Sequence, residues 1–360
     1  MQIKTHLTSS NNSPCVLLGH SGTGKSSIMA KLVKEVIKNT FVFEFSSEGV
    51  FFQIPSWYDE PNHVSVIVRF LGATPSSSDI RRPLISIIEQ ICSIYHFDIP
   101  TNFDHVKQIF ENILSRIPND EQLVLLFDSL DQLQVDDVTQ LEKWLPENLQ
   151  SLSNVKCIYS TIPNIEIGME RKKVDIHQQL KTIYQNDLFD IQVQPFSENT
   201  AEEVLKSWLA QDRRQLTSTQ FEWLRPKLTR RHQIDPLFLS LLYDQTLTWH
   251  SYDETPDKAF LSIESTGDAI EYLYNQLGAK HGQLIFHRAM HYLQLAGGLS
   301  ELEIEDILSL DDEVLQSVFV YYLPPFEVFR LPSNLWIRIR NDMHKYLIEK
   351  DIDGVPCIYL

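Results

Sequence analysis

Gly19-His20-Ser21-Gly22-Thr23-Gly24-Lys25-Ser26 has the form G-x-x-x-x-G-K-[ST], and it stands between an apolar run ending at Leu18 and a helical pattern beginning near Lys25. Strand, loop, then helix is the context in which this pattern binds phosphate. Gly19, Gly22 and Gly24 permit backbone angles that turn successive amides inward around an anion. The following helix adds unpaired N–H groups and the positive end of its dipole. Lys25 is then placed to reach the β- and γ-phosphates, and Ser26 to offer its hydroxyl oxygen to Mg2+, with His20, Ser21, Thr23 and Ser27 completing the cradle. Average residue usage makes a chance match in a chain of this length about one in a hundred. The dinucleotide alternative is weaker, because G-x-G-x-x-G is absent.

A phosphate loop needs an acid on a nearby strand to hold hydrated magnesium, and Leu123-Val124-Leu125-Leu126-Phe127-Asp128 supplies an apolar strand ending in a carboxylate. Three residues on, Asp131 is close enough to orient a water for attack on the γ-phosphate as general base. An equally good reading makes Asp131 a helix N-cap that satisfies free amides. The long interval between Lys25 and Asp128 leaves room for a strand and its helices, implying an extra strand inside the site.

Around these motifs, strand-like runs alternate with helical patterns, as in a mostly parallel α/β sheet. Strands are expected at Pro14–Leu18, Thr40–Phe45, Val64–Phe70, Gln122–Phe127, Val155–Ser160 and Phe189–Val193. Helices are expected at Ser26–Lys38, Leu84–Tyr95 and Val106–Ile117, and the punctuated stretch Gly72–Pro83 reads as an exposed connection. After Pro195 helical patterns dominate, from Ser197–Gln211 through Pro236–Thr248 to Asp311–Tyr322. The expected division is a nucleotide-binding domain at 1–195, a helical domain at 196–280 and a winged-helix-like domain at 281–360. The close of the chain, Cys357-Ile358-Tyr359-Leu360, reads as a β-hairpin cut midway, as in a piece of a longer protein.

With 360 residues, 43% of them apolar, the chain can bury substantial cores without disulfides. Its formal net charge of −17 disfavours nucleic acid and anionic membrane as general partners, so phosphate must be captured locally. Cys15, Cys92, Cys157 and Cys357 are widely spaced and read as thiols of a reducing compartment, with the cytoplasm as expected location. The apolar runs fall short of the roughly 18 residues a membrane helix needs. His287 and His291, four apart on a helix, lack a third ligand and read as an ordinary helix face.

These residues resemble the NACHT group of signal-transduction NTPases, of the STAND class, and within it the NACHT and WD-repeat proteins. The likeness rests on Gly19 to Ser27, Val68-Arg69-Phe70-Leu71-Gly72, Leu126 to Leu133 and Tyr159-Ser160-Thr161-Ile162-Pro163. Further along it rests on Asp235-Pro236-Leu237-Phe238-Leu239, Leu323-Pro324-Pro325 and Leu335-Trp336-Ile337-Arg338. The resemblance implies a switch closed by ADP and opened by ATP, with WD repeats beyond this sequence and protein partners, self-association among them. It implies that Pro236 packs near the adenine, and that Ser160 or Thr161, with Thr161 carried into the site, lies where a γ-phosphate sensor sits. Many relatives carry a glutamate where this chain has Gln132 and an arginine where it has Ile162. Losing a carboxylate and a cation there weakens hydrolysis more than binding. A slow ATPase switch is therefore expected, against a nucleotide-binding scaffold without useful turnover and, more remotely, a small-molecule kinase.

Overall fold

The computed structural model describes residues 2–360 except 10, 38–41, 47–48, 54–63, 73–74, 153, 168–171, 230–233, 254, 256, 322–329 and 353–354. They form two compact units, Met1–Phe196 and Ser197–Leu360.

In the first unit, helix α1 (Gln2–Thr8) precedes β1 (Cys15–Leu18) and α2 (Lys25–Ile37). A ribbon of β2 (Val42–Ser46) and β3 (Gly49–Gln53) leads to β4 (Val64–Phe70), α3 (Pro75–Ser78), α4 (Arg81–Tyr95) and α5 (Val106–Ser115). Then come β5 (Gln122–Asp128), α6 (Val135–Val138), β6 (Val155–Thr161), a hairpin of β7 (Asn164–Ile167) and β8 (Lys172–Asp175), α7 (Ile176–Ile183) and β9 (Phe189–Gln192). Five strands form one sheet in the order β4-β5-β6-β1-β9, every adjacent pair parallel. Five of the six expected strands are in it. Of the sixth, expected at Thr40–Phe45, residues 40 and 41 lie outside the described residues, and Val42–Ser46 pairs antiparallel with β3 as a separate ribbon, because Gly49–Gln53 offers a nearer edge.

Side chains alternate across a strand, so each strand feeds two cores. On one face Cys15, Leu17, Val66, Val68, Val124, Leu126 and Ile158 meet Met29, Leu32 and Val33 of α2. On the other face Leu123, Leu125, Phe127, Val155, Cys157 and Tyr159 meet α4, α5 and α7 through Ile87, Ile91, Phe110 and Leu180. Truncating such a side chain to alanine costs about 2–5 kcal/mol. Gly72–Pro83 is not the exposed loop expected: it contains α3 and opens α4, with Ile80 and Pro83 buried. The Ile80 amide donates to Asp137 Oδ2 at 3.0 Å, which draws the segment onto α6.

The second unit runs α8 (Glu198–Gln211), α9 (Ser218–Thr229), α10 (Pro236–Thr248), α11 (Lys258–Leu261), α12 (Thr266–His281) and α13 (Gln283–Ala296). It continues through β10 (Leu299–Ser300), α14 (Glu301–Ser309), α15 (Asp312–Val318), α16 (Ser333–Met343), β11 (Ile348–Ile352) and β12 (Val355–Tyr359). The helix expected at Asp311–Tyr322 is shorter: Asp311 caps α15 by accepting from the Glu313 and Val314 amides, and the helix ends at Val318. The close of the chain forms a hairpin of β11 and β12, whose residues 353–354 lie outside the described residues. Its β12 is the central strand, pairing antiparallel with β11 from Ile352↔Val355 to Ile348↔Tyr359 and with β10 on its other side. Ile358 therefore joins a core with Phe286, Leu293, Leu308, Trp336 and Ile339.

Candidate functional site

All five parallel strands run in one direction, and the sequence-derived site residues of the first unit collect at the edge where β1, β5 and β6 end. The loop leaves β1 at Gly19, where an added Cβ would lie 2.8 Å from Thr23 Oγ1 and 3.2 Å from the Val193 carbonyl. Contacts that close mean that any side chain at this position would have to displace its neighbours. Gly22 and Gly24 have φ of 79° and 85°, so the loop curls through left-handed conformations and enters α2 at Lys25. The curl is pinned by Thr23 Oγ1 donating to the His20 carbonyl at 2.8 Å. Lys25 is buried, and its ammonium donates to the Gly19 and His20 carbonyls at 2.8 and 2.9 Å. Burial holds its pKa below the usual lysine range, against the opposing pull of the Asp131 and then the Asp128 carboxylate. Both acids thus act on the loop electrostatically. Ser26 and Ser27 are exposed at the amino end of α2, and His20 and Ser21 are exposed on the curl.

Asp128 ends β5 and is 2% exposed. By strand alternation it follows Val124 and Leu126, so it faces the α2 side, where Lys25 and Ser26 begin the helix. The extra strand expected inside the site exists, but it is β6, drawn from later in the chain. The intervening β4 lies beyond β5 at the sheet edge. The Asp128 carboxylate accepts from Ser160 Oγ and, at 3.3 Å, from Ser129 Oγ. Ser129 itself has a left-handed φ of 61°, and its amide donates to Ser160 Oγ at 2.9 Å.

Asp131 sits in a 3-10 turn, Leu130–Gln132, rather than at its N-cap. Its Oδ1 accepts from the Ile162 amide at 3.0 Å and its Oδ2 from Gln132 Nε2 at 2.8 Å. Gln132 in turn backs Gly72, where φ is +68° and an added Cβ would lie 2.3 Å from the Gln132 Cβ. The ends of β4, β5 and β6 are so tied together. Gln132 entered the sequence reading only as a missing glutamate. Its structural role was missed because nothing local announces a contact between Gly72 and a residue so far along the chain. Thr161 is fully buried and donates to the Ile162 carbonyl at 2.9 Å, whereas Ser160 touches Asp128. Pro236 is in the second unit, at the first turn of α10, where its missing N–H costs no helix bond.

Among the described residues no three His, Cys, Asp or Glu side chains gather as an all-protein metal site. Mg2+ does not need one. It is held by one or two oxygen side chains, substrate phosphates and water, and Ser26 with Asp128 supplies a donor set of that kind.

Residues 1–161 match the family model described as Nephrocystin 3, N-terminal. The chain is 30% identical over 349 residues to human NACHT and WD repeat domain-containing protein 2, covering 96% of this chain and 18% of that protein. It is 30% identical over 367 residues to human NACHT domain- and WD repeat-containing protein 1, covering 97% and 21%. The chain thus spans about a fifth of the length of these relatives. Among solved structures it is similar to a Walker-type ATPase of Pyrococcus abyssi, with TM-score 0.38, 14% identity and coverage of 99% and 90% of the two chains. For Cdc6p of Pyrobaculum aerophilum the values are 0.37, 13%, 96% and 83%.

Proposed function

We propose that this chain, which is similar over 96–97% of its length to NACHT and WD repeat domain-containing proteins, is a Mg2+–ATP-binding P-loop switch of the NACHT type that hydrolyses ATP slowly. One observation carries the reading: the glycine curl with Lys25 and the buried Asp128 share one sheet edge and one sheet face, across β6. The loop amides and the α2 amino end bind the phosphate tail, and Lys25 exchanges its bonds to the Gly19 and His20 carbonyls for bonds to phosphate oxygens. Ser26 and Asp128 would hold Mg2+, which would supply charge neutralisation to the phosphate tail. Thr161 turns its hydroxyl from the Ile162 carbonyl to read the γ-phosphate, and Asp131 orients the attacking water.

The three-domain division at 1–195, 196–280 and 281–360 belongs to the same reading. The order α13, β10, α14, α15, α16, β11, β12, with β12 central, favours a winged helix for the last part. ADP closes the switch and ATP opens it, with a protein partner or a second copy as the responder. A cytoplasmic location is favoured by the buried thiols Cys15, Cys92 and Cys157.

A second reading, a nucleotide-holding scaffold without significant turnover, is favoured by the Asp131 carboxylate, both of whose oxygens are engaged by Ile162 and Gln132. Equilibrium dialysis and phosphate release divide the two. The parent should retain labelled ATP at millimolar Mg2+ and Lys25→Ala should not; equal retention would sink the loop assignment. Asp131→Asn should slow phosphate release below the parent rate, whereas identical background rates would leave the scaffold.

A further inference from the structure

The strand alternation that places Asp128 on the α2 face places Ser160 there too. Tyr159 faces the opposite core with Phe127, its parallel partner in the register, so Ser160 stands beside Asp128. Both are nearly sealed, at 0% and 2% exposure. A serine hydroxyl has one hydrogen to give. Because the Ser129 amide donates onto Ser160 Oγ at 2.9 Å, that hydrogen is left for Asp128 Oδ1. Thr161, one residue on, bonds the Ile162 carbonyl instead.

We propose that Ser160 is a positioning residue for the metal half of the site: it fixes the rotation of the Asp128 carboxylate through Oδ1, so that Oδ2, which accepts from Ser129 Oγ at 3.3 Å, turns its remaining lone pair to Mg2+. The inference rests on the nucleotide reading above. Mg2+ demands near-ideal octahedral geometry and tolerates misplaced oxygens poorly, and a hydrogen bond that orients a ligand is the usual way to meet that demand. The Ser160 hydrogen, given to Asp128, is not available to a γ-phosphate at the same time. Ser160 therefore acts on nucleotide only through the metal.

The test is ATP affinity of the whole chain as Mg2+ is raised from chelated to millimolar. The Mg2+ midpoint should rise by about tenfold or more in Ser160→Ala, the loss typical of an orienting partner, while ATP affinity under chelation stays at the parent value. Ser160→Cys, close in volume and a poor donor, should do the same and stands in if alanine does not fold. An unchanged midpoint, or a loss equal with and without Mg2+, overturns the assignment. A parent that binds no ATP at all instead overturns the nucleotide reading and, with it, this one.

Discussion

An ammonium already held by its own loop carbonyls, as Lys25 is by Gly19 and His20, exchanges bonds when phosphate arrives and so needs little rearrangement. A second buried lysine does a different task. Lys156 of β6 is 2% exposed and donates to the carbonyls of His6, Ser9 and Asn11, tying down the end of α1. Beside it the His6 imidazole stacks on Phe189 at 4.6 Å between centroids. Burial, with the Lys156 charge adding to it, holds the His6 pKa below 6.5. The unfolded chain therefore takes the proton first, and the stability His6 contributes above pH 6.5 is lost as pH falls through the lowered folded value. Melting temperature should drop on acidification toward about pH 5, and His6→Phe should flatten that slope. An equal slope in the variant would clear His6 of the effect. Neither residue carried a sequence signal. A lone histidine and a lysine gain meaning only when folding strips water from both, whereas Lys25 was legible because its neighbours form a pattern.

Elements were legible where pattern and packing agree. Val64–Phe70 and Pro236–Thr248 occupy the predicted residues, the one a β-branched run, the other opened by proline with fixed φ. Caps add to this. Ser265 accepts from the Asp268 amide at 3.0 Å while Asp268 accepts from the Ser265 amide at 2.7 Å, a reciprocal pair at the start of α12. Ser265→Ala should cost about 1 kcal/mol, read as a lower urea midpoint with an unchanged slope; a neutral result would mean that packing alone sets the helix start. Thr40–Phe45 shows where local pattern fails, since its propensity says strand but not which edge it joins.

For the whole molecule the net charge of −17 repels a polyphosphate at long range, so the proposed binding of a nucleotide requires local capture by the loop. At a hundredfold excess over Kd, ATP should add about 2.7 kcal/mol, seen as a melting shift of a few degrees. Lys25→Ala should melt alike with and without it, and a parent with no shift would remove the site. No helix among the described residues is long and apolar enough to cross a membrane. The glycine curl, the apolar strand ending in Asp128 and the helix-rich second half were all present in the order of residues, because each depends on neighbours within a turn or a strand. Which strand lies between Lys25 and Asp128, that Ser160 and not Thr161 meets the acid, and that Gln132 must sit against Gly72 were settled by packing in three dimensions. Sheet order and side-chain facing depend on contacts between residues far apart in the chain, and no local periodicity encodes those.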